Sequence, residues 1–505
     1  MDLQLNKQSL AVRKCVVDET AEYPIDISFT LPDYCPGIDR ILKCEIKPTV
    51  ISINSMSTKV TVDGRVCYNL IYCASDGQIY SYEGKEVLSK QFEIQMSAEN
   101  CVFTATAKTD YANCRAISER RIDIHGAVIV CITGIKKQEY NFVSGCDHNM
   151  VQLKKQKCEA FEFCFAVQKQ FSVEEEIELS QGDDAIMRII KCETSVLCDE
   201  CKFITNKAIV KATLNVDILY MSASSKYEKI SASFPISQIV DADGANEQCM
   251  SVCNIDCCTA EFKTITNSDG ECRSILSEFM MNVTLEGYRK CNVDYASDAF
   301  CTEYESVKEN EMVPISIPHS NTDCFPVKEQ INLETPVFQI IDICADVVNT
   351  HMSNQNEEAV LNAEIEADIF YIDENGMCCH HLHKFNVSGA VGNIGSMSDI
   401  SANIKISSLS YNITGAGSIE LRFNICTDGG YTEQNMHNMI SEIRADETRP
   451  KNTKINGPVL YFADEGDEIW DIARRYNTSP SMIMQANSLD NEKMSCSKAL
   501  LIPAI

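Results

Sequence analysis

Three long stretches of this chain alternate between apolar and polar residues with a period of two. In the second, Val210, Ala212, Leu214, Val216, Ile218 and Tyr220 fall on one side, and Lys211, Thr213, Asn215 and Asp217 on the other. The third sets Leu361, Ala363, Ile365, Ala367, Ile369 and Tyr371 against Asn362, Glu364, Glu366 and Asp368. The first reads Val60, Val62, Val66, Tyr68, Leu70 and Tyr72 against Lys59, Thr61, Asp63 and Arg65. Alternation this long predicts a half-buried strand in an antiparallel sheet. Asp76-Gly77 and Glu374-Asn375-Gly376, just beyond two of these strands, predict hairpin turns.

The stretches recur with a period near 150. Arg40-Ile41-Leu42-Lys43-Cys44-Glu45 returns as Arg188-Ile189-Ile190-Lys191-Cys192-Glu193, and more loosely as Ile340-Ile341-Asp342-Ile343-Cys344. From these cysteines to the strand-end tyrosines Tyr72, Tyr220 and Tyr371 the intervals are 28, 28 and 27 residues. A phenylalanine follows in each copy, at Phe92, Phe234 and Phe385, and the lead-ins Phe171–Leu179 and Phe325–Leu333 are alike. Duplication explains such spacing. The expected fold is mainly β: three tandem antiparallel β-sandwich-like repeats over 1–150, 151–315 and 316–445. Gly429-Gly430 and Asn452 mark a loosely structured tether over 427–456, in which Met439–Ile443 could add a last strand. The linker proper is 446–456.

Beyond residue 457 the period changes. Ile469, Ile472, Ala473 and Tyr476 recur at helical spacing, with Asp467 placed to cap the helix. Ser479-Pro480 starts a second helix carrying Ile483, Ala486 and Asn487, and Pro503 suits the end of an edge strand. The reading for 457–505 is a small β-α-α-β domain.

Charge narrows the partners. Against 44 basic residues stand 73 acidic ones, a net −29, so nucleic acid and anionic lipid are poor partners. Residues 1–16 hold no apolar core of signal-peptide length, and no apolar run is long enough to span a membrane. Retention inside the producing cell is expected. The 27 cysteines are odd in number and scattered; most are expected to be buried reduced thiols, with oxidative cross-linking the main rival. Cys198-x-x-Cys201 supplies two of the four ligands a structural zinc needs, and neighbours in Cys378-Cys379-His380-His381-Leu382-His383 would alternate faces along a strand. No metal, cofactor or catalytic residue is assigned: His-Glu-x-x-His, Gly-x-Ser-x-Gly and P-loop patterns are all missing.

The C-terminal pattern Tyr461-Phe462-Ala463-Asp464-Glu465-Gly466-Asp467-Glu468-Ile469-Trp470-Asp471-Ile472-Ala473, followed by Asn487-Ser488-Leu489 and Leu500-Leu501-Ile502-Pro503, resembles a LysM domain. Leu31-Pro32-Asp33-Tyr34-Cys35-Pro36-Gly37-Ile38-Asp39-Arg40-Ile41-Leu42 resembles the start of the SPOCS domain of spore-forming bacteria, and Asp217–Tyr220, Asp368–Tyr371 and Ile117–Ile122 match it too. Copy three lacks the arginine, and Gly37 stands where that family commonly has an acid. Tandem SPOCS units before one LysM is the layout of clostridial spore-coat morphogenetic proteins.

The resemblance implies a non-enzymatic adaptor in the mother-cell cytoplasm, at the forespore surface. It would dock the coat basement-layer ATPase, similar to stage IV sporulation protein A. The alternative is a peptidoglycan binder of wall or cortex that recognises N-acetylglucosamine polymers. Within the LysM, Gly466, Asp467, Glu468, Ile469, Ser488, Leu489, Asp490 and Asn491 are expected to line the binding loops. Trp470, Ile472, Ala473, Asn487 and Ile502 are expected to hold the core. Glu468 replaces the usual Thr/Ser and Ser497 the usual Gly. Asp464, Glu465, Asp467, Glu468 and Asp471 give five acids in eight residues. A neutral glycan offers such a cluster nothing to pair with, whereas a basic protein surface does.

Overall fold

The computed structural model describes residues 3–320, 322–355, 358–393, 399–451 and 457–503. The first repeat runs β1 (Leu5–Thr30), β2 (Ile38–Met56), β3 (Lys59–Ala74), β4 (Ile79–Glu93), β5 (Val102–Ala116) and β6 (Arg121–Cys146). The second runs β7 (Val151–Glu178), β8 (Ile186–Ile204), β9 (Lys207–Ser222), β10 (Tyr227–Asp241), β11 (Cys249–Thr266) and β12 (Cys272–Cys301). The third runs β13 (Tyr304–His319), β14 (Cys324–Asn332), β15 (Val337–Gln355), β16 (Glu358–Asp373), β17 (Cys378–Asn393), β18 (Asp399–Gly415) and β19 (Ser418–Pro450).

Each repeat is a sandwich of two antiparallel sheets. The inner sheets are the meanders β2-β3-β4, β8-β9-β10 and β15-β16-β17. The outer sheets are β1-β6-β5 and β7-β12-β11; in the third, β13 and β14 share the role of one long strand beside β19, which also pairs β18. The apolar face of each alternating strand fills its own sandwich. Val60, Val66, Leu70 and Tyr72 pack with Ile122, Ile124 and Val130; Val210, Leu214, Ile218 and Tyr220 pack with Ile275, Phe279 and Val283. Ile365, Ile369 and Tyr371 pack with Ile419, Leu421 and Ile425.

The other face of each inner sheet is not left to water. Ile71, Leu219 and Phe370 meet Ile190, Ile341, Cys73 and Met221 in one buried cluster shared by all three repeats. Their hairpins converge there too: the Tyr227 hydroxyl accepts from the Ile79 amide at 2.9 Å and lies 3.8 Å from Cys378 Sγ. At the far side, β1/β6, β7/β12 and β13/β19 run on as two-stranded ribbons. These close around Leu10, Val12, Phe142, Val293, Tyr295, Val313 and Met439. Between lies a chamber of about 1380 Å³ lined by all three repeats.

Strand register fixes the equivalences. Tyr72, Tyr220 and Tyr371 pair with Ile41, Ile189 and Ile340, so the three tyrosines are equivalent. Cys44 and Cys192 pair two rungs on, with Leu70 and Ile218, but the third residue on that rung is Ile343, opposite Ile369. Cys344 therefore corresponds to Glu45 and Glu193, which corrects the sequence alignment of copy three by one residue. One step reverses the face of a strand residue, so Cys344 points to the common axis while Cys44 and Cys192 pack on their own sandwiches. Phe92 is also no counterpart of Phe234 and Phe385. It lies opposite Val60, twelve residues before Tyr72, whereas the others lie opposite Leu214 and Ile365, six before their tyrosines.

The expected tether over 427–456 is corrected as well: β19 continues to Pro450. Gly429 and Gly430, read as loop residues, take φ of 68° and 98° and form a bulge in β19. A Cβ on Gly429 would lie 1.7 Å from the Cys253 carbonyl oxygen of repeat two, so glycine is there for close approach and positive φ. Met439–Ile443 falls inside this strand, and residues 452–456 of the linker lie outside the described residues.

The last segment forms β20 (Val459–Ala463), α1 (Ile469–Arg475), α2 (Pro480–Asn487) and β21 (Lys498–Ile502), with β20 antiparallel to β21. Ser479 caps α2 through Met482 N–H, with Pro480 at the first turn. Asp467 does not cap α1. Glu468 holds that position without a side-chain cap, and Asp467 instead accepts from Asp464 N–H at 3.0 Å.

Candidate functional site

Two loops of the small C-terminal domain are zipped into one edge. Met494 carbonyl accepts from Gly466 N–H at 2.9 Å, and Glu492 carbonyl from Ile469 N–H at 2.8 Å. Asp467 carbonyl accepts from Met494 N–H at 2.8 Å, and Glu468 bridges Lys493. Gly466 sits at φ 95°, the turn that lets the first loop fold back.

This zipper brings Gly466, Asp467 and Glu468 beside the segment that follows Ser488, Leu489, Asp490 and Asn491. Ser488 ends α2 in the left-handed region, Asp490 and Asn491 are exposed, and Leu489 is half-buried against the core. Ile469 is fully buried, so only its backbone belongs to the edge. Ile472, Ala473 and Ile502 are buried as expected. Asn487 pins α2 to β21: its side chain donates to the Leu501 carbonyl and accepts from Leu501 N–H, at 2.8 and 2.7 Å.

Trp470 has a second role that the sequence did not disclose. Its ring packs edge-on against Phe300 of β12, centroids 4.9 Å apart, and its indole N–H donates to Asp298 at 2.8 Å. Asp298 also receives Arg474 and Lys308. Lys154 of β7 ion-pairs with Glu468 at 2.5 Å. The domain is thus seated on the second repeat's ribbon. Lys154 holds the Glu468 carboxyl below its ordinary range. Two of the five loop acids are thereby spent on structure, Asp467 within its loop and Glu468 across the seat. Asp464, Glu465 and Asp471 stay exposed.

The buried charges lie at the axis between repeats. Lys191, 4% exposed, lies 2.6 Å from Glu193, 3.4 Å from Asp342 and 2.8 Å from Cys344 Sγ. Glu193, Asp342 and Cys344 are also the one group spaced for a metal among the described residues, and the Lys191 ammonium sits among them. Burial pushes Glu193 up, but Lys191 and Lys47 outweigh it and hold its carboxyl at about 2. His380, from the Cys/His run, hydrogen-bonds Asp368 at 2.6 Å, and His383 pairs with Glu329.

The motif arginines join neighbouring repeats. Arg188 donates to the Ile79 carbonyl and to Gln78, and Arg40 to the Cys378 carbonyl. Gln339 stands on the equivalent rung of copy three. Lys405 ties that repeat to the second instead, ion-paired to Asp428 at 2.7 Å and donating to the Val196 and Ile255 carbonyls. One cysteine expectation is corrected: Cys324 and Cys426, facing each other on β14 and β19, are disulfide-bonded, while 25 others are free.

The SipL SPOCS domain family matches residues 37–117 and 185–264, which are β2–β5 and β8–β11, and the LysM domain family matches 464–494. The third repeat, with Gln339 and Asp342 in place of the arginine and lysine, lies outside the matched segments. No curated protein and no solved structure matches the chain. SPOCS domains connect it to sporulation, LysM is a peptidoglycan-binding fold, and both are binding modules, not catalytic ones. No helix among the described residues is long and apolar enough to cross a membrane. The chain thus carries two SPOCS domains and a C-terminal LysM domain in one polypeptide.

Proposed function

We propose that this chain is a non-enzymatic adaptor of spore-envelope assembly, working in the mother-cell cytoplasm at the forespore surface. Its LysM edge docks the coat basement-layer ATPase, a protein similar to stage IV sporulation protein A, and its β repeats form the body that carries the edge. The functional units are 1–150, 151–315, 316–445 and 457–505. The supporting observation is the charge of the edge: Asp464, Glu465 and Asp471 on the first side face solvent with Asp490 and Glu492 on the second. Such a surface favours a basic protein patch over an uncharged polymer.

Peptidoglycan binding is the second reading, favoured by the LysM fold itself. The variant that separates the two is Asp464→Lys with Glu465→Lys, which leaves the Asp467 and Glu468 contacts in place. Binding of purified full-length wild-type and variant chains to the purified ATPase is expected to differ at least tenfold. Equal binding of both chains to the ATPase, or binding of peptidoglycan alone, contradicts the adaptor reading.

A further inference from the structure

A second surface, remote from the LysM, crowns the end of the axis where the three inner hairpins meet. At the start of each inner sheet a bulge residue precedes the Arg40/Arg188/Gln339 rung: Asp39, Met187 and Phe338. Met187 is 61% exposed and Phe338 75%. Around them stand Tyr34, 83% exposed, in the loop before β2, and Met377, 52% exposed, in the β16–β17 turn. The contacts described above bring Met187 and Met377 to this end, and strand register puts Phe338 at the matching bulge of the third repeat. Arg188, next to Met187, reaches the β3–β4 hairpin, and Arg40, next to Asp39, reaches Cys378, next to Met377. Tyr227 and Cys378 then join the β9–β10 and β16–β17 hairpins to Ile79.

Four large apolar side chains held in the open by short turns and bulges are not needed for the fold, because the cluster beneath them is already closed by Ile79, Met221 and Ile341. Their surroundings are acidic. Asp39, Asp76, Asp183, Asp184, Glu334 and Glu374 are all exposed on the same turns and loops. Arg40 and Arg188 are engaged with neighbouring repeats, and Arg120 and Arg273 with the carbonyls of the loops before β2 and β8; Lys226 is exposed in the β9–β10 turn.

We infer that this crown is a docking surface for a basic amphipathic protein segment, one that sets apolar residues on Met187, Phe338 and Met377 and lysines or arginines on the acidic rim. Charge complementarity selects that occupant. An apolar patch ringed by carboxylates repels a second copy of this chain, at net −29, and repels anionic lipid equally. The surface is additional to the LysM edge and does not depend on the role proposed for it.

The probe is a fluorescein-labelled 18-residue helical peptide of leucine and lysine, with a leucine/glutamate peptide of the same pattern as control. Both are titrated into the full-length chain at 50 and 500 mM NaCl. The wild type is expected to bind the basic peptide at micromolar concentration, weakened at least tenfold by the higher salt, and to ignore the acidic one. The variant Met187→Ser, Phe338→Ser, Met377→Ser is expected to lose at least tenfold while its circular dichroism stays unchanged. Undiminished binding by the triple serine variant would mean diffuse attraction to an acidic chain and overturns the proposal. Concentration-dependent dimerisation in sedimentation that the triple variant abolishes would assign the crown to a second copy and overturns it too.

Discussion

Replacing Lys191 by methionine tests whether the three repeats are held as one body by the charges at their axis. Methionine keeps the unbranched apolar stem, one atom shorter, and removes the ammonium from Glu193, Asp342 and Cys344. Breaking a buried pair on one side typically costs about 3–5 kcal/mol. Asp342 keeps Lys229 at 3.1 Å and Glu193 keeps Lys47 nearby, so the low end applies, about 3 kcal/mol. The Glu193 carboxyl gives an independent figure. Its pKa falls from 4.5 unfolded to about 2 folded, which is worth at most about 3 kcal/mol at 1.36 kcal/mol per unit.

The sign with pH follows. A depressed carboxyl stabilises above its unfolded pKa and loses that contribution as pH falls from about 4.5 towards 2. Without Lys191, burial at Glu193 is opposed by Lys47 and Lys229 alone, so the variant loses stabilisation at pH 7 that wild type itself loses in acid. The gap between wild type and Lys191→Met is therefore about 3 kcal/mol at pH 7, narrows as pH falls below 4.5 and closes only towards pH 2. If a repeat unfolds as its own unit of about 150 residues, the melting temperature drops by about 6–12 °C. Far-UV circular dichroism during thermal and urea unfolding at pH 7 and pH 3.5 reads both. A variant within about 1 kcal/mol of wild type at pH 7, or a gap that does not depend on pH, would mean that the axial charges do not hold the repeats together.

Asp298→Ala should unseat the LysM, because it strands Arg474, Lys308 and the indole N–H together. The chain has a single tryptophan, so a red shift in its emission reports the loss, and an unchanged spectrum contradicts the seat. Trp470→Phe keeps the edge-on contact with Phe300 and should cost about 1.5–3 kcal/mol for the lost hydrogen bond to a carboxylate, read by urea midpoint. Thiol titration of the denatured, unreduced protein should count 25 free cysteines with Cys324 and Cys426 missing; a full count of 27 contradicts that bond.

The alternation of the strands made their two faces legible, and the apolar face went where it pointed in all three repeats. What lay opposite the polar face was not legible. Asp217 and Asp368 read alike as solvent-facing, yet Asp368 is buried beside Lys43 and His380, and Asp217 lines the chamber. A period of two separates inside from outside a sheet, but cannot say whether the outside is water or another repeat. The clue to the misaligned third copy was present in the spacing. Counting back 28 residues from Tyr371 reaches Ile343, whereas 27 reaches Cys344, so the interval names the true counterpart and the cysteine misleads. In the LysM, the small core and the Asn487 pin followed from local pattern. The seat on Asp298 and Phe300 could not, because nothing local to Trp470 names a partner 172 residues away.

On the reading proposed for it, the LysM edge recognises a charged protein surface. The most direct test is the affinity of the full-length chain for the purified coat ATPase and for purified peptidoglycan, each measured at 50 and 500 mM NaCl. Salt at these concentrations shortens the screening length from roughly 14 to roughly 4 Å, so a charge-steered protein contact should weaken at least tenfold across that range, with peptidoglycan binding weak at both. Strong peptidoglycan binding that ignores salt, together with no measurable affinity for the ATPase, would contradict the adaptor and leave a glycan-binding LysM in its place.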